Sequence, residues 1–159
     1  MRFQHPSPEL APFARFDIDV PDGWQPDEAP DTIGMFVDPA AQDYRVNVMV
    51  GADRVPAETD LEDIAQVTLE GMSENTAFRV EREKVEEIDG QPASLRFQSF
   101  ELEGAPDRLL QMQVLFFNPP DGRSKTRDVF HIDGTCLARD ADRYEPIFLE
   151  IASSFRFTR

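Results

Sequence analysis

The sequence contains very few of the residues that catalysis, metal binding and disulfide formation require. Its 159 residues include one cysteine, Cys136, and two histidines, His5 and His131. One cysteine cannot form an internal disulfide, and these three side chains fall short of the roughly four nitrogen or sulfur ligands of a structural zinc site. The glycines form no phosphate-binding loop motif. We therefore expect no disulfide, no metal and no cofactor.

Basic residues are also in short supply. The chain has 16 Lys and Arg against 31 Asp and Glu, which gives a net charge of −15. The basic residues are spread singly, so nucleic acid and anionic membrane surfaces would be repelled. Two interpretations of this acidity stay open. The charge either serves solubility alone, or it forms an acidic face for a basic partner.

Long apolar runs are absent as well. No stretch approaches the ~20 apolar residues of a transmembrane helix. Residues 1–16 contain three prolines and no continuous apolar segment, so we expect neither a secretory signal nor a lipoprotein leader there. The cytoplasm is the expected location.

The composition indicates one folded domain. Hydrophobic residues make up 40% of the chain and include 13 Phe, which is enough for an aromatic-rich core in a chain of this length. Pro6, Pro8 and Pro12 break the N-terminus. We predict an extended lead-in over residues 1–13 and a single domain over residues 14–159.

Apolar alternation predicts strands separated by short turns. In the first half, strands are predicted at 16–20, 33–37 and 45–50, with a turn at 21–24 and loops at 25–32 and 51–58. In the second half, strands are predicted at 78–88, 92–102, 108–117, 125–132 and 135–138. Asp89-Gly90 and Asp133-Gly134 predict tight turns, because both central positions of such turns favour positive φ. In the strand at 92–102 the apolar phase slips, which indicates a bulge or burial on both faces.

Two segments have helical periodicity. A helix is predicted over about 60–74, with Thr59 or Asp60 as its N-cap and an apolar stripe that packs on a sheet. The C-terminal helix carries one stripe, made of Tyr144, Ile147, Phe148, Ile151 and Phe155. Hairpin-connected strands form antiparallel sheets. The prediction is therefore an α+β fold, an antiparallel sheet of about six to seven strands flanked by two main helices.

Several short motifs occur in a characteristic order. A strand runs into the turn Pro21-Asp22-Gly23-Trp24, a mid-chain helix precedes a hairpin at Asp89-Gly90 with Pro92-Ala93 beyond it, and the last helix runs into Ser153-Ser154-Phe155. Over residues 14–157, this order resembles the Mog1/PsbP-like superfamily. Within it, the chain is most similar to the actinobacterial LpqN/LpqT group and to DUF1795 (DcrB-like) proteins.

The resemblance implies protein binding rather than catalysis. The superfamily includes a Ran-binding nuclear import factor, a photosystem II extrinsic subunit and adaptor chaperones for secreted bacterial effectors. It has no common catalytic residues, so none are carried over to this chain. The sequence departs from the LpqN lipoproteins because no lipobox cysteine precedes the domain.

Conventional catalytic motifs are not apparent. No Gly-x-Ser-x-Gly nucleophile elbow occurs. Cys136 follows His131 by five positions, and a thiol–imidazole pair between them in space is conceivable. A small buried core thiol is the commoner role of a free cysteine. A small-molecule pocket or an uncharacterised hydrolase site near His131 and Cys136 therefore stays as the alternative hypothesis.

The leading hypothesis is a non-enzymatic protein-binding or adaptor domain. Neighbouring strand residues point to opposite faces, so apolar side chains such as Phe36, Met49 and Phe117 fall on the face that the first apolar set does not use. Either both faces are covered, or an apolar patch stays exposed as a binding surface. We predict Phe36, Met49 and Phe117 as its anchors, with another protein or a second copy of the chain as the partner.

Overall fold

The computed structural model describes residues 1–7 and 10–158, so Pro8 of the predicted lead-in lies outside the described residues. Within them the elements are β1 (Phe16–Asp17), β2 (Gln25–Asp27), β3 (Gly34–Val37), β4 (Asn47–Pro56), α1 (Leu61–Met72), β5 (Thr76–Ile88), β6 (Gln91–Glu101), β7 (Leu109–Phe117), β8 (Thr126–Leu137), a 3₁₀ turn (Ala138–Asp140), α2 (Ala141–Ser154) and β9 (Arg156–Phe157). None of the helices in this described part is both long and apolar enough to cross a membrane.

One large antiparallel sheet organises the molecule. Its seven strands lie in the order β2-β3-β4-β8-β7-β6-β5, while β1 and β9 form a separate two-stranded sheet. Helix α2 lies against β7 and β8 on one face, and α1 lies against β6 and β7 on the other. We call these the inner face and the outer face. The predicted α+β fold with a helix-flanked antiparallel sheet is confirmed.

The inner face holds the main core. The α2 stripe buries Tyr144, Phe148 and Ile151 against apolar side chains of β4, β8, β7 and β6. Phe116 and Phe130 stack with centroids 6.0 Å apart, and Phe155 meets Phe116 edge-on at 4.9 Å. Offset and edge-on aromatic pairs add about 0.5–1.5 kcal/mol each beyond area burial. The predicted C-terminal helix and its apolar stripe are therefore confirmed.

The tight turn between β5 and β6 is also confirmed. Asp89 and Gly90 have φ values of 46° and 78°, as a two-residue hairpin requires. The β5–β6 ladder contains register shifts between Thr76 and Arg79 and between Val80 and Arg82. Most of β6 is buried on both faces. The slip in the apolar phase of β6 is thus explained by burial on both of its faces. The register shifts lie in β5, the strand that pairs with it.

Strand β8 differs from the prediction at its centre. Asp133 and Gly134 lie inside one continuous strand rather than in a turn, because they pair with Met49 and Val48 of β4 and with Gln113 and Met112 of β7. Gly134 faces the ring of Phe148. The glycine is thus required for close helix packing rather than for positive φ.

The edges of the sheet also differ from the prediction. The predicted loop at 51–58 is mostly strand, since β4 continues to Pro56 by pairing with β8. The predicted loop at 25–32 begins with β2, whose Pro26 is tolerated because the strand lies at the sheet edge. Of the predicted strand at 16–20, only Phe16–Asp17 (β1) is a strand. Beyond it, Asp19 N–H donates to Ser154 Oγ at 2.8 Å instead of to a neighbouring strand.

The end of the lead-in contacts the inner face. The Arg54 guanidinium donates to the Ala11 carbonyl at 2.8 Å and lies 5.3 Å from the centroid of the Phe13 ring. Arg54 in turn is bonded to Asp128, a buried carboxylate that also pairs with Arg123 at 2.8 Å. The separation of residues 1–13 from the domain stays a prediction.

Candidate partner-binding groove

The outer face of the sheet carries polar side chains where a helix-covered sheet usually carries apolar ones. Glu83, Arg96, Gln113 and Asp133 are direct neighbours on β5, β6, β7 and β8, so their side chains lie in one row. Gln98, Gln111, Thr135 and Asn47 form a second row on β6, β7, β8 and β4. We call the two together the polar rows.

Hydrogen bonds connect three members of each row. Arg96 donates to Glu83 at 3.2 Å and to Gln113 at 3.3 Å. In the second row Gln98 donates to Gln111 at 2.8 Å, and Gln111 donates to Thr135 Oγ1 at 3.3 Å. Gln98 is fully buried and Arg96 is 4% exposed. These polar groups are tolerated beneath a helix because their donors and acceptors are largely paired.

Helix α1 rests on this polar layer. It forms over Leu61–Met72 with Asp60 as the N-cap, which confirms the predicted helix, but none of its residues is fully buried. One specific tie holds its middle, since Arg96 Nη2 donates to the Ala65 carbonyl at 2.8 Å. At its C-terminal end Met72 packs on a small apolar cluster of Phe100, Leu109 and Leu137. The apolar stripe of α1 thus remains half-buried.

A groove runs between α1 and the hairpin β5–β6. Its volume is about 660 Å³. The apolar walls come from Leu61, Ala65 and Leu69 of α1 and from Val85 and Pro92 of the hairpin. Val85 is 84% exposed, and β5 is the edge strand of the sheet that the described residues form. The groove therefore presents apolar surface to solvent along a free edge of the sheet.

The charges around the groove are mostly negative or neutralised. Arg96 is held by Glu83 at 3.2 Å, and Lys84 is held by Glu86 at 2.8 Å. Glu62 also lines the groove and lies exposed on α1. The groove can thus receive an apolar segment, while its rim offers carboxylates as acceptors for donors on that segment.

Solved structures of other proteins share this architecture. No family model and no curated protein sequence matches the chain. LpqN, involved in cell envelope biogenesis of Mycobacterium tuberculosis, superposes over 98% of this chain and 88% of its own, with a TM-score of 0.74 and 16% identity. Cyanobacterial PsbP from Synechocystis sp. PCC 6803 covers 92% of this chain and 95% of its own, with a TM-score of 0.60 and 16% identity.

The Ran-binding protein Mog1p of Saccharomyces cerevisiae covers 89% of each chain with a TM-score of 0.58 and 14% identity. The chain has the Mog1/PsbP-like fold. The resemblance stated from the sequence is confirmed for the fold, with LpqN as a structural relative. The likeness to LpqT and to DUF1795 proteins stays a prediction.

Within the Mog1/PsbP-like fold, the three predicted anchors do not share one surface. Phe36 pairs with Val48 and packs on the inner core. Met49 lies on the outer face of β4 and is half-buried. Phe117 is buried on the outer face of β7, with the Arg127 guanidinium 3.4 Å from its ring centroid. The register places Phe117 two strands away from Met49 and about 13 Å farther along the sheet. Their contact with a partner stays a prediction.

His131 and Cys136 lie on opposite faces of the sheet, so the conceivable thiol–imidazole pair does not form. Because β8 is continuous, residues five positions apart point to opposite faces. Cys136 pairs with Leu110 and is fully buried in the inner core, where burial raises the pKa of its thiol to about 12. His131 is on the outer face beside Leu115. The thiol is thus a protonated core group, out of reach of the imidazole.

His131 forms the one histidine–carboxylate pair within residues 1–7 and 10–158. Its Nδ1 lies 2.6 Å from Asp133 Oδ2. The ring lies over Gly51, where a Cβ would overlap it. Partial burial opposes protonation of the ring, but the hydrogen bond that Asp133 accepts from it and the charges of Asp133 and Asp53 outweigh this effect, so the pKa of His131 is raised above 6.5. The same described residues contain no group of three or more His, Cys, Asp or Glu arranged for a metal ion.

We expect His131 to make the stability of the fold depend on pH. Its raised pKa means that the folded state binds the proton more tightly than the unfolded state. This stabilisation is fully present below pH ~6.5 and is lost as the pH rises through the folded-state pKa. Urea unfolding across this range should show His131→Gln losing the pH-dependent part of the stability. Asp133→Asn should lose the same part, and a wild-type slope in both variants would contradict the assignment.

Proposed function

We propose that this chain is a non-enzymatic protein-binding domain of adaptor type, and that the groove between α1 and β5–β6 is its contact surface. The observation that carries the proposal is the half-buried apolar stripe of α1 facing the exposed Val85. Exposed apolar surface bordered by polar groups is typical of protein interaction sites. Protein binding is also the property that the structural neighbour Mog1p has in its name.

The groove suits a peptide segment better than a small molecule. It is open along a sheet edge, and polar side chains that line it already bond to one another, such as Arg96 with Glu83. Small-molecule sites are usually concave and enclosed, with a few unpaired polar groups that converge on the ligand. The separation of His131 from Cys136 removes the arrangement on which the hydrolase alternative depended.

The groove replaces the predicted anchors as the preferred contact surface. Phe36 is turned toward the inner core, and Arg127 covers Phe117. Phe36 and Met49 both retain partial exposure, Phe36 on the inner face and Met49 on the outer face. The partner is another protein or a second copy of the chain, and the cytoplasmic location stays a prediction.

The test is a comparison of two matched double variants in a pull-down from native extract, with captured proteins identified by mass spectrometry. Leu61→Ser with Val85→Ser removes one apolar wall from each side of the groove. Val67→Ser with Val80→Ser removes two apolar side chains that are 67% and 41% exposed on the same helix and strand, outside the groove. We expect the groove variant to capture at least about tenfold less partner than wild type, the effect expected when one or two hot-spot residues are lost.

The control variant should retain the partner at the wild-type level. Sedimentation of the purified protein measures self-association at the same time. Equal capture of the partner by both variants would overturn the proposal. It would also be overturned if neither wild type nor control captured a partner and sedimentation showed the protein to be a monomer.

A further inference from the structure

We infer that the segment which occupies the groove is basic as well as apolar, an amphipathic peptide that carries Lys or Arg beside its apolar anchors. This inference rests on the proposed function of the groove. It follows from the charge pattern of α1, from the pairing of the cations at the groove and from the end of α1 that lacks a cation.

Helix α1 and its flanks carry charge of one sign. Residues 55–78 contain six acidic residues and no Lys or Arg, namely Glu58, Asp60, Glu62, Asp63, Glu70 and Glu74. Residues 16–44 form a second such stretch, with eight acidic residues and no Lys or Arg, and the remaining 17 acidic residues are mixed with all 16 basic ones. The helix that forms one wall of the groove therefore carries negative charge that no basic residue of its own segment offsets.

The cations of the opposite wall do not offset this charge. Arg96 is 4% exposed and bonded to Glu83 and to the Ala65 carbonyl. Lys84 is paired with Glu86. An incoming carboxylate would have to displace these partners, whereas an incoming ammonium or guanidinium meets the free side of Glu62 at the groove.

The C-terminal end of α1 adds to the same preference. Its last turn contains no basic residue, although the negative end of a helix dipole is stabilised by a cation. Exposed Glu70 and Glu74 increase the negative potential at that end. A partner cation placed there would interact with the dipole and with both carboxylates.

A second copy of this chain fits the groove less well than a basic partner. Each copy carries a net charge of −15, so an approach of two acidic surfaces is repulsive at ordinary salt. The complementary occupant is a segment whose apolar side contacts Leu61, Leu69 and Val85 and whose basic side contacts the carboxylates of α1.

The experiment uses two labelled peptides of about 14 residues, long enough to span about 21 Å as a helix. One is amphipathic with Leu and Lys, and the other has Gln in place of every Lys. Fluorescence anisotropy measures their affinity for the full chain at low and high salt. We expect the Leu/Lys peptide to bind about tenfold more tightly at low salt, with the difference shrinking at high salt.

Two charge variants locate the effect. Glu62→Gln with Glu70→Gln removes two carboxylates from α1, and Asp17→Asn with Asp19→Asn removes two exposed carboxylates far from the groove. The first variant should lose most of the preference for the Leu/Lys peptide and keep its affinity for the Leu/Gln peptide. The second should keep the preference. An equal loss in both variants would mean a general field effect and would overturn the inference.

The groove itself is tested separately from its charge. One outcome is that wild type binds both peptides equally, while Leu61→Ser with Val85→Ser abolishes binding of the Leu/Gln peptide. In that case the proposed function stands and this inference fails. If wild type binds neither peptide, the groove is not a peptide site and both fail.

Discussion

Replacing Gly134 by alanine is expected to destabilise the fold by about 3 kcal/mol, near the upper range for overpacking a core. A Cβ at this position would lie 2.7, 2.8 and 2.9 Å from three ring atoms of Phe148. Phe148 is fully buried in the inner core, so its ring cannot move aside without displacing α2. Urea unfolding measures the loss as a lower midpoint with an unchanged slope.

Gly34 provides the matched control. It is also in a strand, and nothing lies within 4 Å of a Cβ built there. Gly34→Ala should therefore change the free energy of unfolding by less than about 0.5 kcal/mol. Equal stability of the two alanine variants would show that the sheet does not require close approach of α2 at Gly134.

A second substitution tests whether Phe148 is the cause. Phe148→Leu removes part of the ring that the new methyl group meets, so the double variant should be more stable than the sum of the single effects predicts. We expect a coupling of about 1 kcal/mol or more, the size found for residues in contact. Additive effects would place the strain of Gly134→Ala elsewhere.

Gly134 also illustrates why part of the fold was predictable and part was not. Asp-Gly has the local chemistry of a turn at both 89–90 and 133–134. At the first pair the chain reverses, with positive φ at both residues. At the second, pairing with β4 on one side and β7 on the other keeps the chain extended. The difference lies in contacts remote in sequence, which a local pattern does not contain.

The same reason explains the limits of β2 and β4. Residues 51–56 have weak apolar alternation, so the pattern favoured a loop. In the fold they pair with residues 126–131 of β8, and the ladder decides their conformation. The helices were predicted well because periodicity over several turns is a local property that packing reinforces. Helix α1 begins after Asp60 at the predicted N-cap position, and α2 follows its buried stripe.

The groove was not predicted, although the sequence contains one signal for the polar layer beneath α1. In β7 the residues Gln111 and Gln113 alternate with Leu110, Met112 and Val114, so one face of a central strand is polar. That pattern indicated a half-buried strand and no more. The polar rows become visible only when the register sets Gln113 beside Arg96 and Asp133, and no single strand contains that information.

The protein-binding hypothesis was drawn from the resemblance and from apolar residues on the second face of the sheet. The predicted anchors follow from strand alternation, which indicates the face on which a side chain lies. Alternation does not indicate whether another side chain covers that residue. Arg127 covers Phe117, and the ladder with β4 turns Phe36 inward. The uncovered apolar surface lies instead where α1 fails to bury its stripe, because the sheet beneath it is polar.

Arg96→Met is expected to destabilise the fold by about 3 kcal/mol, since removing one member of a buried hydrogen-bonded charge network leaves the others unpaired. Methionine keeps the apolar stem of the side chain but none of its donors. The Ala65 carbonyl loses its 2.8 Å bond, and Gln113 and Gln98 lose donors at 3.3 and 3.5 Å. Glu83 is exposed and can be solvated, so most of the loss arises beneath α1.

A merely general loss of stability would affect both helices alike, so the decisive measurement is local. Because Arg96 ties the middle of α1 to the sheet, amide hydrogen exchange should accelerate in α1 by more than in α2, whose Phe148 and Ile151 remain in the core. Arg139→Met is the control, since Arg139 pairs with Asp43 in an exposed ion pair and should cost less than about 1 kcal/mol. If Arg96→Met matches this control in stability and leaves α1 exchange unchanged, the polar rows do not hold the helix. The wall of the groove would then be positioned by the apolar contacts of α1, such as those of Met72.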